Sequence, residues 1–228
     1  VTGHGASDYV VVLHGLAGTK ERMEPLVRAL TAHGYCVVNL GYRSTRCTVQ
    51  EVADRVLRPA LEALAEQPGR VHLVTHSLGG LVVRWCLGDL DVPNLGRVVM
   101  LSPPNQGCRL LTVVRALPLG RPILAAALGP VSAQLGTTGS DLAPNLPAVG
   151  FELGVVAATG GWSPLTTWLA GGPHDGKLGV EETKVRGMKD FAVHRRGHAD
   201  VMACPAVAED VVCFLAHGRF RREAEARP

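Results

Sequence analysis

One serine stands where a buried apolar run meets a helical pattern. In Val71-His-Leu-Val-Thr-His-Ser-Leu-Gly-Gly-Leu-Val-Val-Arg84, residues 71–75 have the pattern of a buried strand and residues 78–88 that of a helix, with almost nothing between them. So tight a strand-to-helix turn forces its central residue, Ser77, into a strained backbone conformation at the C-terminal edge of a sheet, and small neighbours let strand and helix approach. The hydroxyl then sits at a helix N-terminus, where the dipole favours developing negative charge. This is the setting of a nucleophile in acyl transfer. The plainer reading is a serine that only caps the helix.

Such a serine needs a sheet, and the rest of the chain supplies one. Apolar runs at Tyr9–Leu13, 35–40, 71–75, 98–101, 151–158 and Asp190–His194 alternate with helical patterns at 21–33, 48–66, 78–88 and 205–216. Met23, Leu26, Val27 and Leu30 mark one face of the first helix, and Gly34 stops it. Thr48 with Glu51 reads as a capping box, and Pro59 as a kink in the second helix. Alternation of this kind predicts the α/β class: a mainly parallel six-stranded sheet with helices on both faces. Residues 108–150 differ, being rich in Leu, Ala, Pro and Gly with short helical runs at 109–117 and 121–128. The expected organisation is one domain over 1–218, with 108–150 as a cap-like insertion and 219–228 as a charged, frayed tail.

The stretch Thr75-His76-Ser77-Leu78-Gly79 resembles the nucleophile elbow of the α/β-hydrolase superfamily, usually written G-x-S-x-G, with Thr75 in place of the first glycine. The likeness runs from Tyr9 to about Gly218. Leu101-Ser-Pro-Pro-Asn-Gln-Gly107 adds a resemblance to compact bacterial lipases and esterases related to GPI-inositol deacylases. It implies a single-domain α/β-hydrolase with strands in the order 35–40, 9–13, 71–75, 98–101, 151–158, 190–194. It also implies an oxyanion hole from the backbone N–H of Leu16, after His14-Gly15, and of Leu78. His14 and His76 read as structural. The base would follow the last strand, where Gly197-His198-Ala199-Asp200 supplies His198; His194 and His217 are weaker alternatives. The acid would fall between Ser77 and His198 in the chain. Asp175, in Pro173-His174-Asp175-Gly176 ahead of a helical stretch at 180–185, fits best, with Asp141 and Asp190 as rivals and a plain D-G turn as the bland reading.

Composition limits what else the chain could be. The apolar fraction of 46% and charged fraction of 19% are those of an ordinary globular protein. A net charge of +3 implies no acidic partner. The arginines are scattered except Arg219, Arg221, Arg222 and Arg227, so no nucleic-acid patch is formed. No apolar run reaches the roughly 18–20 residues of a transmembrane helix. No signal peptide is recognisable. The chain begins with Val, which leaves a cytoplasmic protein and one secreted after removal of an N-terminal segment both open. Cys36, Cys86 and Cys213 fall in apolar stretches and read as buried thiols. Cys47 and Cys108 face one end of the sheet, but three strand spacings, roughly 14 Å, separate them, twice the reach of a disulfide.

The expected function is hydrolysis of a carboxylic ester through an acyl-enzyme on Ser77, His198 and Asp175, with no cofactor and no metal. The partner is a small-molecule ester with a lipophilic acyl chain, walled by residues 108–150. An acyltransferase or thioesterase on the same three residues is one alternative. A catalytically inactive hydrolase-fold binding protein is another.

Overall fold

The apolar runs form six strands: β1 (Tyr9–Leu13), β2 (Cys36–Leu40), β3 (Val71–His76), β4 (Leu95–Leu101), β5 (Leu153–Ala158) and β6 (Asp190–His194). The computed structural model describes residues 7–222. Residues 1–6 and 223–228, with Arg227 and the end of the expected tail, lie outside the described residues. The strands pair in the order β2-β1-β3-β4-β5-β6, every pairing parallel, as the sequence predicts. Around them run α1 (Glu24–Ala32), α2 (Val49–Val52), α3 (Arg58–Ala65), α4 (Leu78–Cys86), α5 (Arg109–Ala116), α6 (Gly120–Leu128), α7 (Leu142–Asn145), α8 (Pro164–Ala170), α9 (Val180–Thr183) and α10 (Pro205–His217).

The two-residue period of a strand sorts the core into two layers. Val11, Leu13, Leu73, Met100 and Val155 pack with α2, α3 and α4 on one face. Val10, Val12, Val74, Val99 and Val156 pack with α1 and α10 on the other. The order of the strands reverses between β1 and β3. Crevices for ligands open at such a switch, beyond the carboxyl ends of the strands, and Leu16 and Ser77 lie there.

Several details differ from expectation, each for a physical reason. The helix expected over 48–66 keeps its capping box, with the Glu51 N–H donating to Thr48 Oγ1 at 3.2 Å and the Thr48 N–H to Glu51 Oε2 at 2.9 Å. It then widens into a single π turn, Ala53–Leu57, before α3. Pro59 has no N–H to donate and would crowd the carbonyl four residues back, and the wider turn accommodates it. Cys36 is exposed, not buried, because it opens the edge strand β2, and Cys213 is only half-buried; Cys86 is buried as expected. Cys47 and Cys108 are not bonded to one another. Helix α8 carries no apolar periodicity and was not foreseen. Within the expected tail, residues 219–222 are docked rather than frayed: Phe220 is buried 5.0 Å from the Phe214 ring, its N–H donates to Asp190 Oδ2, and Arg221 pairs with Asp210. Among the described residues no helix is long and apolar enough to cross a membrane.

Candidate active site

The site begins with a strained serine. Ser77 has φ 50° and ψ −119°, a conformation that costs of order 1–3 kcal/mol for a residue with a side chain. Its surroundings impose it. The Ser77 N–H donates to Leu101 O of β4 at 2.8 Å, and its carbonyl accepts from Gly80 N–H at 3.0 Å. Glycine is needed around it: a Cβ on Gly15 would lie 2.8 Å from His76 Nδ1 and 2.9 Å from Ser77 Cβ, and one on Gly79 would lie 3.1 Å from Leu13 O. Thr75, where the elbow pattern has glycine, is accommodated fully buried, with a hydroxyl that finds no partner.

Three chain segments that follow β3, β5 and β6 then meet in one hydrogen-bonded row. His198, on the loop after β6, has Nε2 3.1 Å from Ser77 Oγ and Nδ1 2.7 Å from Asp175 Oδ2. A carboxylate accepts only, so Nδ1 carries the proton and Nε2 is left to accept from the serine hydroxyl. Asp175, on the loop between α8 and α9, takes two further bonds on Oδ1, from the N–H groups of Lys177 (2.9 Å) and Leu178 (2.8 Å). Burial works to raise its pKa, but the His198 bond and these two N–H groups outweigh it and hold the carboxyl below the usual range. The His198 N–H donates to Asp175 O at 2.9 Å, so the two loops are tied through backbone as well.

The flanking histidines hold the frame. His76 is buried against the His198 ring at 4.8 Å and donates from Nε2 to His198 O at 2.8 Å. Burial, with His198 beside it, pushes its pKa down to about 3, so it stays neutral. His14 accepts the Tyr42 N–H on Nε2 and donates from Nδ1 to Gly15 O, while Tyr42 stacks on it at 4.2 Å and donates its hydroxyl to His14 O at 2.6 Å. The next turn is pinned where the Ala17 N–H meets Ser44 Oγ at 2.9 Å. Leu16 is thereby fixed beside the elbow. Leu78 is the first residue of α4, so its N–H has no acceptor within the helix.

Leu16, Ser77, Leu78 and His198 line one cavity of about 260 Å³, whose other walls are mainly apolar: Cys108, Leu110 and Leu111 at α5, Leu128 of α6, Leu135, and Leu178 beside the acid. Five of these lining residues, Cys108, Leu110, Leu111, Leu128 and Leu135, fall within the segment 108–150. Burial raises the Cys108 thiol to about 12, so it contributes as an apolar surface.

Of the residues considered for chemistry, Ser77, His198 and Asp175 converge with Leu16 and Leu78, and the rivals do not. Asp141 sits in the insertion in a two-pronged pair with Arg115, both bonds 2.7 Å. Burial opposes its ionisation, yet Arg115 and Thr138 bring its pKa to about 2. Asp190 lies at the start of β6 and caps the N–H groups of Phe191 and Phe220. His194 pairs with Asp210 of α10 at 2.7 Å, and His217 ends α10. Two supporting residues escaped the sequence reading. His174 is buried, accepts the Gly176 N–H on Nδ1 and donates from Nε2 to Thr167 of α8, fixing the turn that carries Asp175. Glu182 is buried at α9, where it accepts the Gly179 N–H; a glycine N-cap has no side chain to complete a capping box, so the sequence carries no clear signal for it. Among the described residues no group of three or more His, Cys, Asp or Glu is arranged to hold a metal.

Comparison with known proteins bears on the family and the fold. Residues 10–221 match the profile of the alpha/beta hydrolase family. No sequence match was found among curated proteins. Among solved structures, the mature form of the Bacillus licheniformis lipase BlEst2 superposes with a TM-score of 0.70 at 16% identity, over 95% of this chain and 93% of that one. A lipase-esterase related protein from Clostridium acetobutylicum gives 0.61 at 17%, over 93% and 96%. Phospholipase PlaB from Legionella pneumophila gives 0.58 at 19%, over 78% of this chain and 46% of that one. At these identities the likeness is one of fold, whereas the profile spans nearly the whole sequence: the chain is a member of the alpha/beta hydrolase family.

Proposed function

We propose that the protein is a serine hydrolase that cleaves carboxylic esters through an acyl-enzyme. The observation that carries this reading is the continuous row Ser77 Oγ, His198, Asp175, opening onto an apolar cavity. Ser77 Oγ attacks the acyl carbonyl while His198 Nε2 takes its proton. Asp175 holds the imidazole in the Nδ1–H tautomer and stabilises the imidazolium. The carbonyl oxygen, as it becomes an oxyanion, receives the N–H groups of Leu16 and Leu78, two donors fixed before the reaction. His198 then gives its proton to the departing alkoxide. Water, activated by the same nitrogen, releases the acid and restores the serine. The acyl chain lies among Leu110, Leu111, Leu128 and Leu135, which favours a lipophilic acid.

The test is pre-steady-state hydrolysis of p-nitrophenyl butyrate. An acyl-enzyme mechanism gives a burst of nitrophenol of about one equivalent per protein when deacylation is slow, and added methanol as competing acceptor divides the product between acid and methyl ester. Hydrolysis with neither a burst nor any partition to methanol would contradict the acyl-enzyme. Ester formed to the near exclusion of acid would make the protein an acyltransferase.

A further inference from the structure

Glu182 is a buried carboxylate that the chemistry above does not use. Its Oε2 accepts the Gly179 N–H at 2.6 Å and its Oε1 the Arg109 N–H at 2.5 Å. Capping the start of α9 needs only the first of these bonds. The second reaches 73 residues back along the chain, to the opening residue of α5. Both ends matter to the site. Gly179 follows Leu178, whose N–H holds Asp175 and whose side chain lines the cavity. Arg109 precedes Leu110 and Leu111, which form the facing wall.

The surroundings make this contact a fixed point. The Gln106 N–H donates to Glu182 O, Gln106 Nε2 to Lys184 O and Asn105 Nδ2 to Thr183 O. Asn105 in turn receives the buried Arg84 guanidinium of α4, which also bonds the carbonyls of Leu146 and Pro147, where the insertion returns to the sheet. The segment 102–107, singled out in the sequence, is thus the seat on which α9 rests. Helix α5 is too short to hold itself. Its first N–H groups lack acceptors, and a carboxylate at that end both accepts one and complements the dipole.

We propose that Glu182 is a positioning residue that joins the Asp175 loop to the acyl-pocket wall, so that one carboxylate sets both the orientation of His198 and the fit of the acyl chain. The proposal rests on the esterase reading above. Burial pushes the Glu182 carboxyl up, and the Arg109 and Gly179 N–H bonds work against that shift.

The backbone at Arg109 allows a selective test. Proline is well tolerated at the first position of a helix, and Cys108 before it already has the extended conformation proline requires (φ −126°, ψ 108°). Arg109→Pro removes the N–H; Arg109→Ala removes the same side chain but keeps the N–H and is the reference. Relative to Arg109→Ala, Arg109→Pro is expected to raise KM for p-nitrophenyl hexanoate about tenfold, the usual value of a hydrogen bond to a charged group. KM for the acetate and kcat for both esters should stay within about twofold, since the acetate barely reaches the wall. Glu182→Gln keeps the shape but leaves one acceptor for two donors; it should raise the hexanoate KM and also lower kcat for both esters about tenfold. Glu182→Gln carries the test by itself if proline prevents folding, read on the folded protein by its thermal transition. A hexanoate-to-acetate KM ratio unchanged in these variants, in a wild-type protein that turns over esters, overturns the proposal and leaves the esterase reading standing. A wild-type protein without ester turnover overturns both.

Discussion

The size of the cavity makes a quantitative statement about substrate. Its volume is about 260 Å³, and an apolar cavity of ~150 Å³ accepts benzene, or ~25 Å³ per carbon. A nitrophenyl ring sharing the space leaves about 110 Å³, room for about four carbons of the acyl chain. Each methylene buried contributes about 0.8 kcal/mol, close to fourfold in kcat/KM. From acetate to butyrate kcat/KM should therefore rise roughly 15-fold, reach its maximum at butyrate or hexanoate, and fall for longer chains. Leu110→Ala removes three carbons from the wall, about 75 Å³, without entering either core layer. Its optimum should move out by about three carbons, into the range of about seven to nine carbons, while acetate hydrolysis is little changed. The assay is kcat/KM across p-nitrophenyl esters from acetate to dodecanoate for both proteins. A wild-type preference for acetate, or an optimum in Leu110→Ala that stays where it was, would refute the assignment of this wall to the acyl chain.

Further outcomes follow from the same geometry. Asp175→Asn should lower kcat about 10⁴-fold, as loss of the carboxylate does in the best-studied serine triad, whereas Asp141→Asn should leave kcat near wild type; the reverse ranking in steady-state kinetics would move the acid to Asp141. Asp141→Asn should instead cost stability, about 3 kcal/mol for breaking a buried pair, or roughly 6–12 °C in Tm, measured by calorimetry. The folded chain holds Asp141 near 2 against 3.8 ordinarily, so the unfolded chain binds the proton first as pH falls. The stability this residue contributes is full above about pH 5 and is lost progressively down to about pH 2; Asp141→Asn should flatten that part of the acid slope in pH-dependent unfolding, and an unchanged slope would contradict the pairing. No jump in rate is expected at the solubility limit of tributyrin in a pH-stat titration, because the insertion is short and anchored by Arg84 and Glu182; sharp interfacial activation would show a mobile lid.

The parts of this molecule legible in its sequence are those written in local pattern. The run at 71–75 and the helix after it located Ser77, because a strand, a one-residue turn and a helix leave few other conformations. Alternating apolar runs likewise revealed all six strands and, with the family resemblance, their order. What escaped depends on contacts across the chain. The choice of Asp175 over Asp141 and Asp190 came from the family resemblance, since as residue types the three are equivalent; what no pattern gave was that Asp141 would pair with Arg115. Cys36 has apolar neighbours, yet its exposure follows from its edge position, which no single-strand pattern reveals. Glu182 and His174 look like ordinary surface and turn residues until the 102–107 segment and α8 close over them. Helix α8 has no apolar stripe to read, and its one large apolar ring, Trp168, is largely exposed.

The central claim is that Ser77 is the nucleophile. It is tested most directly by reacting the folded protein with a fluorophosphonate probe and locating the adduct by peptide mass spectrometry. The account predicts stoichiometric modification of Ser77, abolished in Ser77→Ala together with nearly all ester hydrolysis while thermal unfolding changes little. Labelling at another residue, or substantial esterase activity in a well-folded Ser77→Ala protein, would contradict it.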